Sequence, residues 1–250
     1  MLKIKNLKKT FNTRQTDERE IFKNLSFEVK PREFVTVIGG NGVGKSSLMN
    51  LIAGSDFPDS GKIYINGEDV TNLPEHKRAK FIGRVFQDPL RGTAPNLTLE
   101  ENLSLAALRC SRRGLKFAVS KKNTDFFRAK LETLGLGLEN RMKAKIGQFS
   151  GGQRQAVTLL MATFAHPKLL LLDEHTAALD AKSREKICEL TKKITKDEEM
   201  TTLMITHNIE DAFNFGTRTL ALSPGGVVTD LGGTEERSLN LKNCNWMKYL

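Results

Sequence analysis

The sequence predicts an α/β fold in which helices cover a largely parallel β-sheet. Three observations point to this class: strand-like apolar segments alternate with helix-like segments, a glycine-rich turn joins a buried strand to a helix, and a helical region interrupts the alternation. Ligands of such sheets bind at the carboxyl ends of the strands, so functional residues are expected in the turns that follow them.

The N-terminal part of the chain is predicted to be rich in β-strands. Leu2–Ile4 and Asn24–Val29 alternate apolar and polar residues as half-buried strands do, and the polar stretch Thr13–Glu20 is predicted to be a surface loop. Phe34–Ile38 is apolar and β-branched, which is typical of a fully buried strand. Gly61–Gly67 has the pattern of a strand that runs into an Asn-Gly turn.

Helices are predicted after the buried strand and through the middle of the chain. Ser46–Ala53 is predicted to be a helix that Gly54 ends. From about Pro89 to Ala156, Leu, Lys, Arg and Glu recur at helical spacing. This region contains a basic group: Arg109, Arg112, Arg113, Lys116, Lys121 and Lys122. Strand, helix and strand then return as Leu169–Leu172, Ala181–Thr195 and Thr202–Thr206.

Length and composition restrict the class of protein. A chain of 250 residues can form one large domain or two small ones without disulfides or metals. Cys110, Cys188 and Cys244 include no CxxC pair, so a zinc ribbon or disulfide framework is not expected and a reducing compartment is favoured. Neither a secretory signal nor an apolar run of the ~18 residues that span a membrane is expected. The net charge, 39 − 29 = +10, suits nucleic acid, an anionic membrane surface or a phosphate ligand.

A phosphate-binding loop is predicted between Phe34–Ile38 and the helix that follows. The segment matches G-x-x-x-x-G-K-S, in which glycines let successive backbone N–H groups wrap phosphates. Lys45 is expected to reach the β- and γ-phosphates, and the Ser46 hydroxyl to complete a Mg²⁺ shell. The candidate binding residues are Gly39, Gly40, Asn41, Gly42, Val43, Gly44, Lys45, Ser46 and Ser47.

Two carboxylates end the apolar strand Leu169–Leu172. A buried strand that ends beside a phosphate loop places Asp173 near Mg²⁺, and Glu174 is then able to polarise an attacking water. Apolar runs that end in acids are common, so this pattern gains its meaning from the phosphate loop.

A second phosphate-binding device is predicted where Ser150–Gln153 precedes a helix. Small residues and free N–H groups at a helix N-terminus favour an anion. The candidate residues are Ser150, Gly151, Gly152 and Gln153. One chain with two such devices suggests that two chains share nucleotide across an interface.

These motifs, with Ala178–Asp180 and His207 in the same order and at about the same spacings, resemble the nucleotide-binding subunit of ABC (ATP-binding cassette) transporters over essentially the whole chain. The resemblance implies one ABC ATPase domain with a P-loop (RecA-like) core, an N-terminal antiparallel β subdomain and an inserted α-helical signature subdomain. The implied boundaries are residues 1–88 and 159–234 for the core with its β subdomain, 89–158 for the helical insert and 235–250 for a C-terminal tail.

The resemblance also implies roles for single residues. Phe11 stacks on adenine, Asp180 belongs to a loop that crosses the dimer interface, and His207 contacts the γ-phosphate as a catalytic residue beside Glu174. Gln87 belongs to a glutamine loop that touches Mg²⁺ and senses the membrane partner. ATP and Mg²⁺ are the implied cofactors, and the implied metal ligands are Ser46, Gln87 and Asp173.

Three positions depart from the family pattern: Phe149 replaces a leucine, and His175 and Ala181 replace prolines. The departures at Phe149 and Ala181 are expected to be tolerated. Three segments, Asp173–Asp180, Asn102–Ala106 and the basic Arg112–Leu115, resemble a subgroup of bacterial importers. Those importers work with a permease and a substrate-binding protein, and some are linked to tryptophan or other aromatic amino acids. The resemblance therefore implies a homodimer across two ATP sites, at the cytoplasmic face of the cell membrane, with integral-membrane permease subunits, an extracytoplasmic substrate-binding protein and no nucleic acid.

A second hypothesis is a soluble or regulatory ABC-type ATPase that acts on nucleic acid, ribosomes, cofactor assembly or cell-wall and export machinery. The net charge of +10 keeps it open. The chain has neither the long heptad coiled coil of DNA-repair relatives nor the second cassette of translation relatives. The transported substrate and the direction of transport are not encoded in this chain.

Overall fold

The structure, a computed structural model, describes residues 1–12, 18–108 and 121–233, which form two compact units. The first unit comprises Met1–Ile82, Lys168–Glu174 and the chain from Glu199; the second comprises Gly83–Pro167 and His175–Glu198. The predicted helical insert, residues 89–158, lies within the second unit, and its predicted boundaries stay a prediction. The side chains of the basic group from Arg109 to Lys122 and the tail 235–250 lie outside the described residues.

An antiparallel sheet forms the N-terminal part of the first unit, in the strand order β2-β1-β4-β5. Its strands are β1 (Leu2–Asn12), β2 (Glu18–Val29), β4 (Ser60–Ile65) and β5 (Glu68–Asp69). The prediction of a surface loop was wrong for Glu18–Glu20, which are in β2. The pairing of β1 with β2 continues through three register shifts as far as Asn12 and Glu18. Ladder hydrogen bonds thus extend a strand through residues whose polar side chains suggested a loop.

The second sheet has the order β10-β9-β3-β8-β7-β6. Its strands are β3 (Phe34–Ile38), β6 (Ile82–Val85), β7 (Leu169–Asp173), β8 (Thr201–Ile205), β9 (Arg218–Ser223) and β10 (Val227–Asp230). Strands β9, β3, β8 and β7 run parallel, whereas β10 pairs antiparallel with β9. All residues of β3 and β8 are buried, which confirms the prediction of a buried strand at Phe34–Ile38.

Among its described residues, the first unit has three α-helices: α1 (Lys45–Ala53), α2 (Glu75–Arg78) and α7 (Ile209–Phe215). Helix α1 ends at Gly54, whose φ of +83° is a left-handed conformation that glycine adopts without strain. The backbone N–H of Gly54 donates to the carbonyl oxygen of Asn50 at 2.9 Å. The predicted helix and its end are therefore confirmed.

Arg78 is fully buried and holds the C-terminal end of α1. Its guanidinium donates to the carbonyl oxygens of Leu51 (2.6 Å) and Ile52 (2.9 Å), which lie in the last turn of that helix. It also donates to the carbonyl oxygens of Leu73 (2.6 Å) and Thr71 (2.8 Å). Burial lowers the pKa of Arg78 to about 10, partly opposed by the negative charge of Asp69, so the side chain remains charged at neutral pH.

The second unit is mainly helical. Its helices are α3 (Leu99–Leu108), α4 (Lys121–Glu132), α5 (Gly151–Thr163) and α6 (Ala181–Asp197). Hydrophobic side chains on these helices, such as Leu103, Phe127 and Leu159, are buried. Within the described ranges, no helix combines the length and apolar character that a membrane span requires.

Candidate active site

The phosphate-binding loop connects β3 to α1 and has a conformation that its glycines permit. Gly42 and Gly44 adopt φ values of +78° and +102°. A Cβ atom placed on Gly44 would lie 2.4 Å from Cγ2 of Ile21, so both the backbone angle and the space require glycine there. The loop opens directly into the N-terminus of α1, where unpaired N–H groups favour an anion.

The ammonium group of Lys45 lies within the loop. Its Nζ donates to the carbonyl oxygens of Gly39 at 2.7 Å and of Gly40 at 2.9 Å. Burial lowers the pKa of Lys45, and the negative charges of Glu174 and Asp173 oppose that effect. The first unit therefore places a buried cation and two carboxylates close enough to interact.

The parallel register brings the ends of three strands to the same edge of the sheet. Ile205 at the end of β8 pairs with Val37 on one side and with Asp173 on the other. The phosphate loop, Glu174 and His207 each follow one of these strands. Functional residues were predicted in the turns that follow the carboxyl ends of the strands. Within the first unit, the three candidate groups lie in such turns.

Glu174 and His207 are direct neighbours in space. Oε2 of Glu174 lies 3.2 Å from Nδ1 of His207. Glu174 has a φ of +45°, which is uncommon for a residue with a side chain, and its N–H donates to the carbonyl oxygen of Ile205 at 3.0 Å. The turn that carries His207 is fixed by Asn208, whose N–H donates to Oγ1 of Thr206 at 3.0 Å. The carboxylate and the imidazole are thus held by backbone contacts on either side.

Phe11 lies on β1 with 38% of its surface exposed, as a residue that stacks on a planar ligand requires. Nζ of Lys9 lies 4.9 Å from the centre of the Phe11 ring and forms an ion pair with Asp56 at 2.8 Å. Nζ also donates to the carbonyl oxygen of Phe57 at 2.7 Å. The cation is thereby fixed against the ring. No local sequence pattern indicates this role of Lys9, because its contacts with Asp56 and Phe57 join segments that are distant in sequence.

In the second unit, Ser150 and Gln153 form a capping box at the start of α5. Oγ of Ser150 accepts from the N–H of Gln153, and Oε1 of Gln153 accepts from the N–H of Ser150, both at 3.2 Å. These contacts satisfy two backbone donors at the helix N-terminus. Ser150 and Gln153 therefore have a structural role in the single chain.

The glycines of the same motif differ in their surroundings. A Cβ on Gly152 would lie 2.7 Å from both Cβ and Oγ of Ser183 on α6, whereas a Cβ on Gly151 would meet only Cδ2 of Leu179, at 3.5 Å. A cavity of about 720 Å³ in this unit is lined by Ser150, Gly152, Gln153 and Ser183 and by charged side chains of α6: Lys182, Lys186, Glu185 and Glu189. The start of α5 therefore opens into a cavity whose lining carries both basic and acidic groups.

Replacing Gly152 by alanine is expected to lower the free energy of unfolding by about 1–3 kcal/mol, because the new methyl group overlaps Ser183. Urea unfolding of the purified protein measures this change. Gly151→Ala is the matched control in the same helix turn, where the methyl group meets only an ordinary contact and adds helix propensity. Equal effects of the two substitutions would contradict the close approach of Gly152 to Ser183.

Gln87 and Asp180 also belong to the second unit. The residue before Gln87, Phe86, has the guanidinium groups of Arg84 (4.6 Å) and Arg91 (5.1 Å) over its ring. Its carbonyl oxygen accepts from Nε2 of Gln155 at 3.0 Å. Asp180 caps α6 by accepting the N–H of Ser183 at 3.0 Å. Hydrogen bonds from the side chain and from the backbone N–H of Ser183 lower the pKa of Asp180.

His175, where the family has proline, is buried. Its Nε2 lies 3.0 Å from Oγ1 of Thr191 on α6, and its Nδ1 has no hydrogen-bond partner among the described residues. Burial lowers the pKa of His175 to about 4, so the imidazole is neutral at neutral pH. The departure from proline thus ties the residue after Glu174 to α6.

The predicted metal ligands suit magnesium chemically. Ser46, Gln87 and Asp173 offer hydroxyl, amide and carboxylate oxygens, which Mg²⁺ prefers. Nowhere in the described part of the chain do three or more His, Cys, Asp or Glu side chains form a group able to hold a metal. Such a set fits an ion that takes part of its coordination from substrate phosphates and water.

The chain is similar to known proteins over most of its length. The family described as ABC transporter matches residues 22–177. A tyrosine transport ATP-binding protein of Clostridioides difficile is 44% identical over 242 residues, covering 97% of this chain and 96% of that protein. A sulfate/thiosulfate import ATP-binding protein of Agrobacterium fabrum is 33% identical and covers 100% of this chain and 68% of that protein.

A solved structure is also similar over most of the chain. It is a dimeric, post-hydrolysis state of the ATP-binding cassette MJ0796 of Methanocaldococcus jannaschii, bound to ADP and Pi. The TM-score is 0.77 at 33% identity, and the match covers 93% of this chain and 100% of that one.

Proposed function

The chain belongs to the ABC transporter family, and on that premise we propose that it is the ATPase subunit of an importer for an amino acid, with aromatic amino acids as the first candidates. Family membership makes the chain an ATP-binding protein and an ATPase. The observation that carries the proposed substrate class is the 44% identity, over nearly the full length of both chains, to a tyrosine transport ATP-binding protein. Import as the direction is supported by the 33% identity to a sulfate/thiosulfate import ATP-binding protein.

The geometry of the first unit supports a division of roles in ATP hydrolysis. The phosphate loop binds the phosphate chain, and Lys45 exchanges its contacts with Gly39 and Gly40 for phosphate oxygens. Glu174 orients and deprotonates the attacking water, and His207, 3.2 Å away, contacts the γ-phosphate. Ser46 and Asp173 of the first unit would hold Mg²⁺, which would supply positive charge beside the phosphates.

Two copies of the chain are proposed to close on two ATP molecules. Ser150 and Gly152 of one copy then face the nucleotide held by Lys45, Glu174 and His207 of the other, as the dimeric state of the similar cassette supports. Contacts made only in the presence of ATP supply the differential free energy that closes the dimer. Hydrolysis removes the γ-phosphate and lets the dimer open, and permease subunits convert this cycle into transport across the cytoplasmic membrane.

Phe11→Ala is expected to weaken ATP binding about tenfold, because the adenine loses its stacking surface. Phe11→Tyr keeps the ring and should bind as the unchanged protein does. Isothermal titration calorimetry with ATP measures both. Phe57→Ala is the control, since it removes another exposed aromatic ring of the first unit. Unchanged affinity in Phe11→Ala would remove the proposed role of Phe11.

Co-purification from source membranes tests the importer proposal. Tagged Glu174→Gln is incubated with ATP and detergent-solubilised membranes, and Lys45→Ala is the control that should not form the closed dimer. A stoichiometric integral-membrane permease is the expected partner. Uptake of labelled tyrosine or tryptophan by liposomes that contain the complex then tests the substrate class. Recovery of soluble proteins or nucleic acid without a permease would instead support a soluble ABC-type ATPase.

A further inference from the structure

The N-terminal sheet contacts the phosphate loop through β2. Nη2 of Arg19 lies 3.1 Å from the carbonyl oxygen of Gly42 and donates a hydrogen bond to it. Two and three residues further along the same strand, Ile21 and Phe22 fill the space beside Gly44 so closely that a Cβ there would overlap both. Three residues of one strand therefore contact the loop.

The contact of Arg19 fixes the orientation of a single peptide group. In a trans peptide the C=O and the following N–H point in opposite directions. When Arg19 holds the carbonyl of Gly42 on the side of β2, the N–H of Val43 points to the opposite side of the same peptide plane. Gly42, with a φ of +78°, has little intrinsic preference that would hold this peptide in place.

Arg19 is also the antiparallel partner of Phe11 in the pairing of β1 with β2. It lies on an exposed part of the strand and forms no ion pair with the residues that the structure describes. The hydrogen bond of Arg19 is therefore made to the phosphate loop rather than to a carboxylate. It connects β2, the strand that pairs with Phe11 of β1, to the loop that carries Lys45.

We propose that Arg19 is a positioning residue for nucleotide binding: its hydrogen bond to Gly42 turns the Val43 N–H toward the phosphate chain. Loops of this kind bind phosphates through successive backbone N–H groups, so an N–H turned away costs affinity for the phosphates and not for the base. The inference rests on the proposed binding of nucleotide by the phosphate loop.

The test compares ADP with AMP, because the β-phosphate that the loop binds is absent from AMP. In Arg19→Ala, ADP affinity should fall about tenfold, as loss of one charge-assisted hydrogen bond predicts, while AMP affinity should change much less. Arg19→Lys retains a donor at similar reach and should recover most of the loss. Competition against a fluorescent ADP analogue gives all the dissociation constants.

Lys23→Ala is the matched control. Lys23 lies on the same strand, is 70% exposed on its side chain, and pairs only loosely with Glu20 at 3.8 Å. Its removal takes away the same charge without a contact to Gly42, so both affinities should stay as in the unchanged protein. The ratio of the AMP and ADP constants is measured within one sample, which makes it independent of the folded fraction.

A direct view of the peptide comes from nuclear magnetic resonance. The Val43 amide signal of the nucleotide-free protein should shift in Arg19→Ala and not in Lys23→Ala. Four results would overturn the proposal: unchanged ADP affinity in Arg19→Ala, equal losses for ADP and AMP, a loss in Arg19→Lys as large as in Arg19→Ala, or an equal loss in Lys23→Ala. Failure of the unchanged protein to bind ADP would instead contradict the nucleotide site itself.

Discussion

Replacing Glu174 by glutamine is expected to slow ATP hydrolysis by at least about 100-fold while ATP still binds. Glutamine has nearly the same shape but cannot take a proton from water. The carboxylate is the group that the first unit places beside His207, at 3.2 Å, on a residue with a φ of +45°. The steady-state release of phosphate measures the rate, and calorimetry measures ATP binding.

The same variant should accumulate as a dimer in the presence of ATP, because the step that opens the dimer is blocked. Size-exclusion chromatography with ATP and with ADP measures this state. Glu68→Gln is the control, since Glu68 is an exposed residue of β5 that pairs with Lys80 at 3.4 Å, in the same unit as Glu174. Normal turnover in Glu174→Gln would remove Glu174 from its assigned role.

Replacing Arg78 by methionine is expected to lower the free energy of unfolding by about 2–4 kcal/mol. Methionine fills much of the same space, so the main loss is that of the donors to four carbonyl oxygens. Two of these oxygens belong to Leu51 and Ile52 in the last turn of α1. Helix α1 directly follows the phosphate loop. A buried acceptor without a donor costs more than the hydrogen bond contributed.

Urea unfolding of the two proteins at neutral pH measures this change. Lys3→Met is the matched control, because Lys3 forms an exposed ion pair with Glu28 at 3.2 Å in the same unit. A solvent-exposed pair of this kind contributes little to stability, because water and salt screen its charges. A destabilisation of Arg78→Met no greater than that of Lys3→Met would show that the buried guanidinium does not hold the end of α1.

Much of the fold was predictable from local sequence patterns. An apolar, β-branched run predicts the strand Phe34–Ile38. Glycines with positive φ angles predict the end of a helix at Gly54 and the Asn-Gly turn before Glu68. The limits of β1 and β2 were not predictable in this way. Their polar ends are strands because each pairs with the other across register shifts, and such pairing joins residues that are distant in sequence.

Local sequence patterns predicted the chemical groups of the site: a glycine loop with Lys45 and Ser46, the adjacent acids Asp173 and Glu174, and a phosphate-binding helix start at Ser150. Each group consists of residues that are adjacent in the chain, so local spacing and backbone preference are enough to predict it. The structure adds that Ser150 and Gln153 cap this helix. The contact of Lys9 with Phe11 and the hydrogen bond from Arg19 to Gly42 became visible only in the folded chain.

The neighbours of Gly152 and Arg78 were likewise not predictable from local sequence. Ser183 occupies the space beside Gly152, and Arg78 reaches the end of a helix 26 residues earlier in the chain. Each of these contacts depends on the position of a segment that the local pattern does not encode. Their free energies come from close packing and from hydrogen bonds withdrawn from water, which exist only when the distant segments are brought together.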